Sequence, residues 1–213
     1  MKLTLYNYWR SGPSYRVRIG LALKGLAYDY VGVNLLAHEQ KSPENRARHP
    51  QALVPTLEVD GLRLTQSPAI LEWLEETHPS PPLLPAKPAD RAIVRGMAGV
   101  VACEIHPINN LRVQAYLRAA FSADDAAVSA WQTQWLTEGF AALEALTGQH
   151  GGAYCFGDAP TLADIHLIPQ IATARRVRFD MAPYPRLSAI NERALAHPAF
   201  QAAHPDKQPD AAP

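Results

Sequence analysis

The sequence predicts a mixed α/β domain followed by an all-α domain. Before residue 79, segments whose apolar residues have the two-residue period of a strand alternate with segments whose apolar residues have helical spacing. The segment Pro79–Pro88, PSPPLLPAKP, is half proline, and proline continues neither a helix nor a central strand because it fixes φ and lacks an N–H. After this segment the apolar stripes have helical spacing only. We therefore place the domain boundary in the proline-rich segment, with residues 1–80 as the first domain and residues 88–213 as the second.

The first domain is predicted to begin with a strand, a helix and a second strand. The segment Lys2–Asn7, KLTLYN, alternates apolar and polar residues as a strand does. Pro13 suits the start of a helix and Gly25 its end, because glycine readily adopts the left-handed conformation that follows a last turn. The segment 28–35, YDYVGVNL, is rich in strand-forming residues and predicts the second strand.

A helix, a hairpin and another helix complete the predicted first domain. SPENRARH, residues 42–49, begins with a Ser-Pro pair that is typical of a helix start. PTLEVDGLRLTQ contains two strand-like runs joined at Asp60-Gly61, a dipeptide that favours a two-residue hairpin turn. Ser67-Pro68 then caps the helix that follows. The predicted order is βαβ followed by αββα.

Apolar stripes predict the helices of the second domain, which cover residues 90–106, residues 122–146, a segment that opens at Thr161, and residues 186–196. Thr161 and Asp164 form a reciprocal capping pattern. Ser122 is the expected N-cap of the long helix and Gly148 its expected stop. Pro169 is expected to kink the third helix.

Composition narrows the class of protein. The chain has 20 Lys+Arg and 20 Asp+Glu, a balance that argues against a nucleic-acid coat or a general membrane-surface role. Cys103 and Cys155 form no C-x-x-C pair and have no zinc-ligand spacing to a histidine, so we expect no metal site and a reducing compartment. The N-terminal apolar run is too short for a signal peptide, and no window approaches the ~18 apolar residues of a membrane span. We expect a cytoplasmic protein.

Four motifs, in this order along nearly the whole chain, resemble the zeta class of cytosolic glutathione transferases. They are WRSGPSYRVRIGLALKGL, then LVPTLEVDG with LTQSPAILEWLEE, then GDAPTLADIHLIPQ, and finally YPRLSAINERALAHPAFQAAHPDKQPD. The resemblance implies a thioredoxin-like glutathione-binding domain followed by a helical bundle, and a homodimer. One motif departs from the family. Zeta-class proteins usually have Ser-Ser-Cys where this chain has Ser11-Gly12-Pro13, so this chain has no protein thiol at that position.

The resemblance implies a glutathione-dependent cis–trans isomerase. The zeta class includes maleylacetoacetate isomerases and bacterial maleylpyruvate isomerases, and the motifs look closest to the latter, which form fumarylpyruvate in gentisate breakdown. Adding a thiolate to the activated alkene makes its double bond single, so that the bond rotates before the thiolate leaves. Two alternatives also use a glutathione thiolate as the nucleophile. One is a maleylacetoacetate isomerase of tyrosine and homogentisate breakdown, and the other is a general zeta-class transferase or dehalogenase. A different class is a non-catalytic binding protein with this fold.

The resemblance also implies which residues hold glutathione near its sulfur and its γ-glutamyl end. The Ser11 hydroxyl would donate to the sulfur, although a serine before a helix is most often only an N-cap. A cis peptide at Val54-Pro55 would present the Val54 backbone to the cysteinyl unit, and the simpler alternative is a proline that opens an edge strand. Gln66 and Ser67 would bind the γ-glutamyl carboxylate at a helix N-terminus, which is compatible with plain capping.

Further glutathione contacts are expected from two other segments. His38 and Gln40 lie where the family binds the glycyl end; Gln40 matches the motif position, whereas a lone loop histidine is more often solvated. Asn109-Asn110 occupies the place of a Gln-Asn pair that the family has near glutathione and across the dimer interface.

The substrate is a dianion, and arginine forks match carboxylates. We expect Arg10 and Arg176 to hold the two carboxylates and Arg112 to add a third contact. His106 is a candidate proton donor to the carbanion, a task that water can also perform. The remaining arginines are assigned structural places: Arg16 a solvated face, Arg18 a structural ion pair, and Arg175 and Arg178 a basic helix end.

Overall fold

The computed structural model describes residues 1–211. Its strands are β1 (Leu3–Asn7), β2 (Asp29–Gly32), β3 (Thr56–Val59) and β4 (Leu62–Thr65). Its helices are α1 (Gly12–Leu23), α2 (Pro43–Arg48), α3 (Ser67–Thr77), α4 (Pro88–Gly99), α5 (Leu111–Phe121), α6 (Asp125–His150), α7 (Leu162–Arg176), α8 (Pro185–Ala196) and α9 (Pro198–Ala203). A π-helical segment, Val100–Ile105, continues α4, and 3₁₀ turns occur at Glu39–Lys41 and Pro205–Lys207. The predicted plan of an α/β domain and an all-α domain is confirmed.

The chain divides into two compact units. One contains Met1–Pro82 together with the segment that begins at Leu195, and the other contains Leu83–Ala194. This division differs from the predicted one, which placed residues 88–213 together. The reason is that α9 packs on α1, where its Phe200 and Ala203 are buried.

The sheet of the first unit has the strand order β2-β1-β3-β4. β1 and β2 are parallel, whereas β1–β3 and β3–β4 are antiparallel. The predicted hairpin is confirmed at Asp60-Gly61, where both residues have positive φ, at 47° and 91°. The second strand is shorter than the predicted 28–35, since only Asp29–Gly32 pairs with β1.

Gly20 marks a close approach between α1 and α3. A Cβ at this position would lie 2.4 Å from Leu71 Cδ2, and Leu71 is fully buried. Gly20→Ala is therefore expected to lower the free energy of unfolding by ~1–3 kcal/mol, although alanine favours helices. Gly96→Ala, in open space on α4, is the matched control and should raise it by ~0.5–1 kcal/mol. Urea unfolding measures both. An unchanged midpoint in Gly20→Ala would show that Leu71 moves aside at no cost.

The predicted caps of the helices are partly correct. The capping box of Thr161 and Asp164 is confirmed, and α7 continues through Pro169 to Arg176. The N-cap of α6 is Asp124 rather than Ser122, which has the left-handed φ of 54° after α5, and α6 runs past Gly148. The predicted cap of α3 is displaced by one residue, as described with the site below. The helix α5 was not predicted from the sequence; it has no buried residue, so it lacks an interior stripe.

The basic residues of α1 are buried, which contradicts the expectation for Arg16. Arg16 is 2% exposed and donates to Ser67 Oγ at 3.4 Å, because α1 packs against both α3 and α9. Lys24, on the same face, forms a buried ion pair with Glu75 at 2.8 Å. Arg18 has the expected structural role, but not with a carboxylate in contact: it donates to an amide oxygen and to backbone carbonyls.

None of the helices within residues 1–211 combines the length and the apolar character needed to cross a membrane. Over the same residues, His, Cys, Asp and Glu side chains do not group in a way that could hold a metal ion. Cys103 is exposed, Cys155 is buried, and both are free thiols.

Candidate active site

Four segments that carry predicted glutathione contacts follow or precede the same end of the sheet. Asn7 of β1 pairs with Gly32 of parallel β2, so the loop after β2 begins beside the end of β1. Tyr6 pairs with Thr56, and Thr56 pairs with Thr65. The start of β3 and the end of β4 therefore lie at that same end. Strand pairing alone thus gathers the segments that contain Ser11, Gln40, Val54 and Ser67.

Ser11 closes a turn and caps α1. Its N–H donates to Tyr8 O at 3.0 Å, and its Oγ accepts from Ser14 N at 3.3 Å. The N-cap interpretation is therefore correct. It does not use the hydroxyl proton, since a hydroxyl oxygen that accepts one bond still has its own O–H to donate. The first turn of α1 contains no acidic residue, so the positive end of the helix dipole remains available to an anion.

Arg10 precedes Ser11 and is exposed. Its guanidinium lies over the Trp9 ring, 5.3 Å from the ring centroid. Contact with an aromatic face restrains the guanidinium without using its N–H groups, because these lie in the plane of the guanidinium and point away from its edges. Arg10 therefore keeps its donors for an anionic ligand.

The Val54-Pro55 peptide is cis, as the resemblance implied. Pro55 is buried and Val54 is half-buried. Asn45 Nδ2 donates a hydrogen bond to the carbonyl oxygen of Leu53, the residue before Val54, at 3.3 Å. Within residues 1–211, the N–H and C=O of Val54 have no hydrogen-bond partner. These two groups can pair with an extended peptide as a strand edge does.

Gln66 and Ser67 open α3. Gln66 is the N-cap, with a positive φ of 68°, and its exposed side chain donates to Gln51 rather than capping the helix. Ser67, predicted as the cap, is instead the first helical residue and is buried. Its Oγ accepts from Arg16 Nη1, so the hydroxyl proton is left to donate to a ligand. A buried guanidinium therefore lies behind a helix N-terminus, and both favour a carboxylate.

The loop after β2 contains Gln40 and His38. His38 is exposed and has a left-handed φ of 59°. Gln40 Oε1 is buried, and no described residue donates to it. A buried amide oxygen without a donor is costly in a folded protein, so this atom fits a site that a ligand N–H completes. The orphaned oxygen, the free Val54 backbone and the Ser67 hydroxyl together fit an extended peptide that has a carboxylate near the start of α3 and an N–H near Gln40.

The second unit holds the other predicted residues. His106 ends the π-helical segment and donates its N–H to Val101 O at 3.0 Å. Asn110 is the N-cap of α5, and its Oδ1 accepts from Arg112 N at 3.1 Å. Asn109 differs from its neighbour, because both of its amide atoms are buried and lack a partner among residues 1–211. Asn109 is thus the better placed of the pair to bind a ligand.

Arg176 is exposed in the last turn of α7. Its Nη2 donates to Thr173 Oγ1 at 3.0 Å, and that hydroxyl donates to Pro169 O at 3.0 Å. A relay of two hydrogen bonds along the helix surface therefore orients the guanidinium. An arginine side chain that is already oriented loses less conformational entropy when it binds a carboxylate.

Sequence reasoning missed the contact of Arg16 with the candidate site residue Ser67. The available signal was its position on a helix with apolar residues on all sides, which indicates burial of the whole helix. A cation on such a helix needs a specific polar partner, and Ser67 is one.

Two family models match the chain. "Glutathione S-transferase, N-terminal domain" matches residues 1–76, and "Glutathione S-transferase, C-terminal domain" matches residues 113–190. The chain belongs to the glutathione S-transferase family. Among its relatives in this family, the maleylpyruvate isomerase of Ralstonia sp is 49% identical over 212 residues, which cover 99% of this chain and 100% of the relative.

Solved structures of the family agree with this assignment. The holo structure of a maleylpyruvate isomerase, described as a bacterial zeta-class glutathione S-transferase, has a TM-score of 0.96 and 49% identity, covering 98% of this chain and 100% of its own. A maleylacetoacetate isomerase from Anaeromyxobacter dehalogenans 2CP-1, with bound dicarboxyethyl glutathione and citrate in the active site, has a TM-score of 0.89 and 47% identity. That alignment covers 100% of this chain and 98% of the other. The resemblance to the zeta class is confirmed.

Proposed function

We propose that this protein is a glutathione-dependent cis–trans isomerase that converts maleylpyruvate to fumarylpyruvate. The observation that carries the proposal is the similarity, over essentially the full length of both chains, to a maleylpyruvate isomerase. The site geometry supports it, because a hydroxyl donor, a free strand-like edge and a charged helix N-terminus lie around one end of the sheet. A binding protein would need no hydroxyl poised to stabilise a thiolate.

When bound, glutathione supplies the thiolate that adds reversibly to the alkene. The residues of this chain hold and tune it. The Ser11 hydroxyl donates to the sulfur, and the N-terminal end of α1 favours the ionised form. The Val54 backbone holds the cysteinyl unit, Ser67 and Gln66 hold the γ-glutamyl carboxylate, and Gln40 and Asn109 complete the polar contacts.

Basic residues hold the substrate in this proposal. Arg10 and Arg176 each bind a carboxylate of the cis-enedione, and Arg112, which is exposed on α5, adds a third contact. His106 or water would lend a proton to the carbon made anionic by thiolate addition and would take it back before the thiolate leaves, so the cycle neither gains nor loses a proton. Since Ser11-Gly12-Pro13 contains no cysteine, the only sulfur this mechanism uses is that of glutathione.

The decisive experiment follows the absorbance of maleylpyruvate and of maleylacetoacetate, each with and without glutathione. We expect glutathione-dependent isomerisation of both compounds, with the larger kcat/KM for maleylpyruvate. A preference for maleylacetoacetate would support that alternative instead. Turnover of neither substrate, with conjugation of a neutral electrophile, would indicate a general transferase. Binding of glutathione without any turnover would indicate a binding protein.

Ser67→Ala tests the γ-glutamyl contact. Removing a hydrogen bond to a charged group costs ~1.5–3 kcal/mol, so the Kd for glutathione should rise about 10- to 100-fold. Calorimetric titration measures it. The dipeptide cysteinylglycine, which lacks the γ-glutamyl carboxylate, is the control ligand, and its affinity should not change. An equal loss for both ligands would remove the γ-glutamyl group from this contact.

We also propose that the protein is a cytoplasmic homodimer, as the family resemblance implies. Sedimentation equilibrium of the purified chain tests the dimer, and cell fractionation tests the location. A monomer at micromolar concentration that retains full activity would contradict the first statement.

A further inference from the structure

The N–H and the C=O of Trp9 each form a hydrogen bond with a different charged side chain. The N–H donates to Asp210 Oδ2 at 3.2 Å, and the C=O accepts from Arg18 Nη2 at 2.9 Å. Trp9 is the second residue of the turn from Tyr8 to Ser11, which carries both Arg10 and Ser11. The turn itself is closed by a single backbone hydrogen bond, from Ser11 N to Tyr8 O. Charge-assisted hydrogen bonds on both sides of Trp9 are stronger than that closure.

Arg18 connects the turn to the C-terminal segment. It is fully buried, and it donates to Asn7 Oδ1 at 2.8 Å, to Tyr8 O at 3.4 Å and to Ala203 O at 3.0 Å, besides Trp9. Its guanidinium also lies 5.4 Å from the centroid of the Tyr15 ring. Burial lowers the pKa of Arg18. A guanidinium nevertheless stays protonated at neutral pH, so a fixed positive charge underlies the turn.

Asp210, the partner of the Trp9 N–H, is itself held by hydrogen bonding and packing. Its second oxygen accepts from the Tyr30 hydroxyl, and burial together with this bond raises the pKa of Tyr30. Gly32 lies against the Asp210 side chain, since a Cβ there would be 3.4 Å from it. Upstream, Gln208 Nε2 donates to Ala202 O and His204 O at 3.0 and 2.8 Å. The segment from Pro205 to Asp210 is therefore a bonded part of the first unit.

We propose that Arg18 and Asp210 are positioning residues for the reaction proposed above. They fix the Tyr8–Ser11 turn so that the Ser11 hydroxyl and the Arg10 guanidinium are set before ligands bind. This inference rests on the proposed function, because it acts through Ser11 and Arg10. The C-terminal segment thereby takes part in catalysis without touching substrate, since a hydrogen-bond donor to a thiolate acts only at the correct distance and angle.

Asp210→Ala tests the proposal, with Asp206→Ala as control. Asp206 is an exposed acid four residues upstream, paired with His204 at 3.6 Å. In Asp210→Ala we expect the pKa of bound glutathione, followed by ultraviolet absorbance of its thiolate, to rise, and kcat to fall about tenfold with little change in KM. Asp206→Ala should match the unaltered protein in both. Asp210→Asn, whose amide oxygen can still accept from Trp9 N–H, should recover most of the loss.

The thiol pKa is measured without substrate, so it decides the proposal even if the protein does not isomerise maleylpyruvate. An unchanged thiol pKa in folded Asp210→Ala would overturn it, whatever happens to the melting temperature. Tyr30→Phe, which removes the other partner of Asp210 while keeping the ring, serves if Asp210→Ala does not fold. It should raise the thiol pKa by a smaller amount, and no rise in that variant would equally refute a positioning role.

Discussion

Ser11→Ala is expected to lower kcat about 10- to 1000-fold, up to the loss found when a single donor to a developing anion is removed. The free thiol has a pKa of about 8.5, so only a few per cent is ionised at neutral pH without help. In the structure the Ser11 oxygen is already used as acceptor for Ser14 N, which leaves its proton as the donor. Alanine removes that donor and leaves the helix end as the remaining source of thiolate stabilisation.

The pH profile distinguishes this effect from a loss of stability. Losing the donor raises the pKa of the bound thiol, so the acidic limb of kcat should move to higher pH and part of the activity should return in alkaline buffer. Asp124→Ala is the matched control, because Asp124 caps α6 in the other unit with a bond of 2.8 Å to Ala127 N. It should cost ~1 kcal/mol of stability without moving the limb. An unmoved limb in Ser11→Ala would exclude Ser11 from thiolate stabilisation.

Local patterns predicted the parts of the fold that local chemistry determines. Asp60-Gly61 forms the hairpin because both residues take positive φ. Thr161 and Asp164 form the capping box because the side chain of each reaches the backbone of the other. The helix α5 escaped prediction because none of its residues is buried, and interior periodicity is the signal that sequence reasoning uses.

The buried cations of α1 show where periodicity stops being informative. Arg16 and Lys24 share one face, which a single amphipathic helix would leave in water. In the structure α3 covers α1 on one side and α9 on another. The contact between Arg18 and Ala203 joins residues 185 positions apart. A sequence window cannot contain such a partner, so the groups that bind the buried cations are known only from the tertiary structure.

The site was predictable to the extent that strand order determines it. Ser11, Val54 and Ser67 adjoin strands whose pairing brings one end of each together, and the motifs already marked these residues. The contacts of Arg16 and Asp210 were not predictable, because each depends on a partner in another element: Ser67 for Arg16, and the Trp9 backbone for Asp210. Residues that act through others carry no motif of their own.

Arg176→Ala is expected to lower kcat/KM for maleylpyruvate about 30-fold or more, because truncating one partner of a charge pair that bound substrate buries costs ~2–5 kcal/mol. The Kd for glutathione should not change. Thr173 Oγ1 orients the guanidinium, so Thr173→Val should produce the same defect in weaker form. Arg175→Ala is the control for charge at the helix end, since Arg175 is the adjacent exposed arginine in the same last turn and interacts with the same macrodipole.

The choice of electrophile separates the isomerase from a general transferase. An arginine that binds a substrate carboxylate contributes nothing to a reaction with a neutral aryl halide, whereas one that stabilises the fold or the glutathione site affects both reactions equally. Steady-state kinetics of Arg176→Ala and Arg175→Ala with the dianionic enedione and with the neutral halide therefore give four comparisons. A defect confined to Arg176→Ala with the dianion supports the proposal that Arg176 binds a substrate carboxylate. Equal losses with both electrophiles, or in both variants, would show that Arg176 acts on the helix or on glutathione and that another group binds the carboxylate.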